Sequence, residues 1–276
     1  MTDESAFAAA APAFSARRVG AMVLRHTYIL RRSWPRILEL AYWPVVQVIL
    51  WGFITQFFLS HSSWVVRAAG VLIAGVLLWD VLFRGQLGVS VSFLEELWSR
   101  NLGHLFISPL RPYELALSLA LMSLIRTLIG TVPAALIAIP LYHYSIFEMG
   151  LPLVLFFVTL LAFGWAIGLM IAAALLRWGL AAESFAWLAI FALAPISGIY
   201  YPIDVLPGWL QSVAWCLPSA YVFEGMRAVL FDGVTRFDYL LIALGLDLAY
   251  LGLGIGAFML AFRLARVHGL LLRTGE

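Results

Sequence analysis

MGLPLVLFFVTLLAFGWAIGLMIAAALL, residues 149–176, contains no charged residue and no His. As an α-helix rising 1.5 Å per residue it reaches about 40 Å, more than the ~30 Å hydrocarbon core of a bilayer. A helix that is apolar on every side is either the core of a large protein or a membrane span. Composition decides between the two. Of 276 residues 63% are hydrophobic and 12% charged, against about 25% charged in a soluble domain, and the mean hydropathy is +0.97.

Working outward from 149–176, the remaining apolar stretches fall into an all-α integral membrane protein with six spans. These are expected at about 39–59, 68–92, 113–142, 151–176, 183–203 and 239–262. The segment 204–238 is apolar too, but Pro207 and Pro218 divide it into pieces shorter than the ~17 residues a crossing needs. It reads as an external re-entrant segment with two short helices, over 207–217 and 219–231.

Residues 16–35 are too charged to span. Val19, Met22, Val23, Ile29 and Leu30 alternate there with Arg17, Arg18, Arg25, Arg31 and Arg32, a composition suited to an amphipathic helix lying in the interface. The first fifteen residues read as a mobile tail, because Asp3 and Glu4 stand where a signal peptide carries positive charge. Residues 263–276 form a second tail.

All 17 basic residues are Arg and there is no Lys. With the N-terminus in the cytoplasm, twelve Arg fall on the cytoplasmic side, three outside and two, Arg84 and Arg126, within spans. This is the asymmetry of the positive-inside rule. Both termini are therefore expected in the cytoplasm, and the protein in the cytoplasmic (inner) membrane.

The same count excludes functions. A P-loop needs a Lys to reach the β- and γ-phosphates, so this chain does not hydrolyse ATP by that route. One Cys, Cys216, and five scattered His offer no metal-ligand spacing. No catalytic residue, metal or cofactor is expected on the chain, nor a nucleic-acid partner.

Two segments carry functional information. Ser92-Phe-Leu-Glu-Glu-Leu-Trp-Ser-Arg-Asn-Leu-Gly-His-Leu-Phe-Ile-Ser-Pro-Leu-Arg-Pro-Tyr-Glu114 connects spans 2 and 3. Leu94, Leu97, Trp98 and Leu102 share one helical face. Such a short amphipathic helix outside the bilayer fills a partner's groove or lies against its own bundle. The second segment, Ser197 to Arg227, places non-spanning backbone at membrane depth, which protein or a wet cavity must satisfy.

Glu95-Glu96 followed by Leu105-Phe-Ile-Ser-Pro-Leu-Arg-Pro-Tyr-Glu114, together with Gly198-Ile-Tyr-Tyr-Pro, Leu206-Pro-Gly-Trp-Leu-Gln and Pro218-Ser-Ala-Tyr with Glu224-Gly-Met-Arg227, resembles the ABC-2 type permeases, the membrane subunits of ATP-driven exporters. Ala220 replaces the family's usual Thr, and Trp98 and Asn101 stand among positions where it usually has basic residues. The resemblance implies a permease subunit, paired with a second copy of itself and with two ABC ATPase subunits that bind ATP and Mg. It assigns Glu95, Glu96, Trp98, Arg100 and Asn101, within the connection 93–112, to coupling with the ATPase. The substrate is expected to be amphiphilic or lipid-linked. A stand-alone secondary transporter or channel using intramembrane charges is the alternative.

Charges in spans are functional candidates by default. Asp80 and Arg84 share a face of span 2, and by counting from the cytoplasmic ends Asp80 and Arg126 lie at similar depth. An Asp80–Arg84 or Asp80–Arg126 pair is expected, either holding spans 2 and 3 together or serving a gate. Asp247 in span 6 is expected to meet Arg227 or Arg236, or to line a wet cavity. In the external segment Tyr200, Tyr201, Trp209, Trp215, Glu224 and Arg227 are the candidates. Gly164-xxx-Gly168 and Gly252-xxx-Gly256 permit close helix approach, within the subunit or between copies. Membrane lipids complete the expected partners.

Overall fold

A computed structural model describes residues 14–61 and 68–267, and the described residues contain helices and no strand. In chain order the helices are α1 (Ala16–Arg32), α2 (Trp34–His61), α3 (Ala68–Trp98), α4 (Leu102–Ile107), α5 (Pro112–Tyr142), α6 (Leu151–Trp178), α7 (Ser184–Leu193), α8 (Gly208–Ala214), α9 (Pro218–Asp232) and α10 (Phe237–Val267). Most of the two expected tails lies outside the described residues.

Sequence punctuation sets the boundaries. Pro112 and Pro152 open α5 and α6 in the first turn, where the missing N–H costs nothing. His143 and Gly179, both at positive φ, follow their last turns. Among the described residues five helices are long and apolar enough to cross a membrane: α2, α3, α5, α6 and α10. The chain is a multi-pass membrane protein.

The fifth expected span, 183–203, is the exception. α7 has 10 residues, about 15 Å of helix, and the chain then turns through 194–200. Pro195 donates no backbone hydrogen bond and Gly198 takes φ 72°, so the helix cannot continue. Side chains satisfy the irregular part. Tyr201 donates to the Pro195 carbonyl (2.6 Å), Ser197 to that of Leu193 (2.8 Å), and Ser219 to the Ser197 hydroxyl (3.1 Å). This segment still joins the two ends of the bundle, since Ala186 belongs to the buried cluster that holds Phe258 and Leu176, while Ile190 and Ile199 belong to the one that holds Phe156 and Phe223.

A second departure concerns 93–112. The expected separate amphipathic helix is the end of α3, which runs unbroken to Trp98 and then turns at Arg100 (φ 52°) into α4. No Gly or Pro interrupts 89–101, so nothing breaks the helix where it leaves the apolar run.

At the centre of the bundle α3 lies between α5 and α6 and approaches both at backbone distance, and α6 also packs against α10. A Cβ on Gly164 would lie 2.9 Å from the Leu82 carbonyl oxygen, and one on Gly168 2.7 Å from Val89 Cβ. The first Gly-xxx-Gly therefore packs α6 on α3 within the subunit. Gly252 and Gly256 meet nothing within 4 Å, whereas Gly254 between them sits on the Ala166 carbonyl.

These contacts fix the directions: α3, α6 and α10 run together, and α2 and α5 run opposite to them, with Gly130 beside Leu40 and Gly52 beside Tyr142. α1, α4, the start of α5 and the end of α10 consequently gather at one end of the bundle, and α8 and α9 at the other.

Gly130 is where three helices meet, since a Cβ there would fall 2.6 Å from Arg84 Nε and 2.8 Å from the Leu40 carbonyl. Gly130→Ala is expected to cost about 1–3 kcal/mol of stability by overpacking and to lower the melting temperature of the detergent-solubilised protein. Gly252→Ala, into open space, is expected to be neutral or slightly stabilising.

Candidate functional site

The coupling candidates lie where α3 ends against α1. Glu96 is 1% exposed and accepts hydrogen bonds from Arg25 and from Asn101 Nδ2 (2.7 Å). The Asn101 N–H also donates to the Glu96 carbonyl (3.0 Å), so this one residue closes the α3–α4 turn and binds α1. His26 Nδ1 faces the Met22 carbonyl at 2.9 Å, and its Nε2 lies 3.3 Å from Glu96. Both ring nitrogens thus face oxygen atoms.

Glu95 faces the other way. It receives Arg36 of α2 (2.9 Å) and Arg126 of α5 (2.9 and 3.2 Å). Glu114 repeats the device at the start of α5, accepting Arg18 (2.6 and 2.8 Å), the Ser15 N–H (2.9 Å) and the Arg111 N–H (3.0 Å). The last bond caps α5. Hydrogen bonding to Glu114 raises the pKa of Arg18.

Three carboxylates therefore fasten α1 and the start of α2 to α3 and α5. Trp98 and Arg100 point away from this cluster and are exposed, Trp98 at 48%. The five coupling candidates thus divide into three that hold the junction (Glu95, Glu96 and Asn101) and two that face outward.

Within the spans, Asp80 accepts Arg84 Nε (2.6 Å) and Thr131 (3.2 Å). The alternative Asp80–Arg126 pair does not form. Helical side chains lean toward their own N-terminus, so on antiparallel helices Arg126 leans away from Asp80 and toward Glu95. Counting depth by residue number alone misses this tilt.

Asp247 is 2% exposed, and neither carboxylate oxygen has a partner among the described residues. Both expected partners are occupied, Arg227 by Glu224 (2.8 Å) and Arg236 by Asp238 (2.7 Å).

At the far end Glu224 also accepts the Ile203 N–H (2.8 Å), so the Glu224–Arg227 pair ties α9 to the turn after Pro202. Tyr200 stacks on Trp51 of α2 at 4.8 Å, and Trp215 packs on Tyr221 and Tyr239 at 4.9 and 5.9 Å. Tyr201 supports the Pro195 turn, and Trp209 is 72% exposed. The six external candidates are thus spread over separate contacts.

A chain with a clamped amphipathic helix, a carboxylate pair at the α3–α4 turn and irregular backbone after α7 invites comparison with transporter subunits. Residues 25–231 match the family model described as ABC-2 type transporter. The chain belongs to that family. It is similar, at 35% identity over 97 residues, to the linearmycin resistance permease protein LnrN of Bacillus subtilis (strain 168). The similar stretch is 35% of this chain and 25% of that protein, so the chain spans about a quarter of the length of this relative. An ABC-2 permease is a membrane component rather than the ATPase.

Sequence reasoning missed Arg18, Arg25, His26, Arg36 and Glu114 as parts of the junction. The available signal was charge matching: a helix rich in Arg, and three carboxylates at the ends of spans 2 and 3.

Two outcomes are expected. Glu96→Gln leaves Arg25 and His26 facing a neutral amide, and hydrogen exchange should become faster across 16–32 while α6 keeps its protection. Asp247→Asn removes a buried acid that no described residue compensates, so thermal stability should hold or rise; a fall would reveal a partner to the carboxylate.

Proposed function

We propose that the chain is the permease subunit of an ABC exporter, forming the pathway for an amphiphilic or lipid-linked substrate and driven by ATP hydrolysis on separate subunits. The observation that carries this reading is the exposed Trp98–Arg100 corner on a junction that three carboxylates hold in place. A surface meant to transmit force must be firmly tied to the spans behind it, and this one is fixed to α1, α2 and α5 at once. ATP and Mg belong to the partner.

The end bearing α1 and α4 faces the cytoplasm in this reading. That end collects the Arg residues of 17–36 with Arg100, Arg111 and Arg177, as the positive-inside rule requires. Two copies of the chain surround the pathway, since one bundle centred on α3, α5 and α6 is filled by its own side chains. A symmetric pair provides an interface along which an amphiphile can pass. Similarity to a permease named for resistance supports outward transport. The irregular backbone after α7, with Tyr200 on Trp51, supports an apolar cargo route near the outer end.

The test begins with co-purification. Tagged chain extracted from its native membrane in mild detergent should bring down a second copy and an ATP-hydrolysing subunit. Trp98→Ala with Arg100→Ala should weaken recovery of that subunit by about 2 kcal/mol, roughly thirtyfold, as for truncation of an interface anchor. Elution volume and melting temperature should stay unchanged. Transport that persists without ATP and with no ATPase bound would establish the stand-alone transporter instead.

A further inference from the structure

The two edges of α1 are differently engaged. Arg18 and Arg25 on one edge are paired with Glu114 and Glu96. On the other, Arg17, Gly20, Leu24, Thr27 and Arg31 recur at spacings of three and four residues and so form a single stripe. Arg17 and Arg31 are exposed and have no partner among the described residues.

Along this stripe, at Gly20, Leu24 and Thr27, lies an apolar groove of about 440 Å³, lined also by Phe14, Val19 and Val23 with Leu117 and Leu121 of α5. Its one hydroxyl, on Thr27, already donates to the Val23 carbonyl at 2.8 Å. A peptide segment laid here would find no hydrogen-bonding group for its backbone. An acyl chain needs none.

The groove also sits where α5 begins, with Leu117 and Leu121 one and two turns into that apolar helix. We propose that it holds an acyl chain of an anionic phospholipid whose phosphate rests on Arg17. The lipid bridges α1 to α5 on the side opposite the Arg18–Glu114 pair. The site requires only a membrane around the chain, so it stands apart from any transport reaction.

Native mass spectrometry of the full chain, solubilised with equal phosphatidylglycerol and phosphatidylcholine, tests it by counting retained lipids. Phosphatidylglycerol should be retained in preference. Arg17→Gln should reduce that preference about fivefold, the effect of one Arg near a charged lipid surface, while Arg32→Gln, off the stripe, should not. Gly20→Leu fills the groove from α1, where added atoms meet nothing within 4 Å, and should abolish retention; Leu117→Trp fills it from α5 and should do the same.

Equal retention of the two lipids, or equal effects of Arg17→Gln and Arg32→Gln, overturns the proposal. So does retention that rises when residues 2–13 are deleted, which would make the chain's own N-terminal segment the occupant. Groove-filling variants that change the oligomeric state and leave lipid retention intact would make it a contact between copies, and overturn it too.

Discussion

Glu96 sits in almost complete isolation from solvent, and its charge is tolerable only because Arg25, Asn101 and His26 surround it. A carboxylate in that position without partners would be expelled or neutralised. The position of α1 relative to α3 follows from this need. Once α1 is fixed there, Arg18 reaches Glu114, Glu114 caps α5, and the chain entering α2 brings Arg36 to Glu95. The interfacial helix is therefore part of the bundle's own charge balance, and it also covers the seam between α3 and α5.

Above this junction the cohesion is of another kind. α3, α5 and α6 approach through Gly85, Gly88, Gly130, Gly164 and Gly168, with carbonyls and side-chain stems where larger residues would stand. Lipid gives apolar faces little reason to associate, so close backbone packing and hydrogen bonds replace the hydrophobic effect as the cohesive force. The Ser123 hydroxyl, donating to the Gly85 carbonyl at 2.8 Å, and the Asp80–Arg84–Thr131 group belong to the same interface. Arg84 in turn lies against Gly130, which makes the ion pair and the glycine mutually dependent.

The fold was legible wherever one physical quantity dominated. Absence of charge over 149–176 defines α6, and Pro207 and Pro218 bound the short helices of the external segment. The fifth span is helical only as far as Leu193, because hydropathy is blind to hydrogen bonding: 184–203 carries no charge, yet Pro195 and Gly198 end the helix and side-chain hydroxyls take over. Of the intramembrane charges, the i,i+4 pair Asp80–Arg84 was accessible from spacing alone. The Glu95–Arg126 contact needed the direction of side-chain lean on antiparallel helices, and the lack of a partner for Asp247 among the described residues needed the knowledge that Arg227 and Arg236 were engaged locally. Residue spacing carries information about one helix; pairing between helices depends on register, which composition does not encode.

The two kinds of cohesion suggest how motion at one end would be carried to the other. Ion pairs such as Arg36–Glu95, with Arg36 partly in solvent, exchange partners with water at low cost. Backbone-tight glycine contacts cannot slide by a fraction of a residue without meeting a carbonyl or a Cβ. A push on the Trp98–Arg100 corner would therefore loosen only the solvent-exposed Arg36 contact, while the buried Glu95–Arg126 pair and the glycine contacts carry it into α3, α5 and α6 together. The compliant element would be the segment after α7, where the backbone is already irregular and is held by single hydroxyls at Ser197, Ser219 and Tyr201. Displacement of the rigid trio would then appear at the outer end as a change in the Tyr200–Trp51 contact, the point where that segment meets α2.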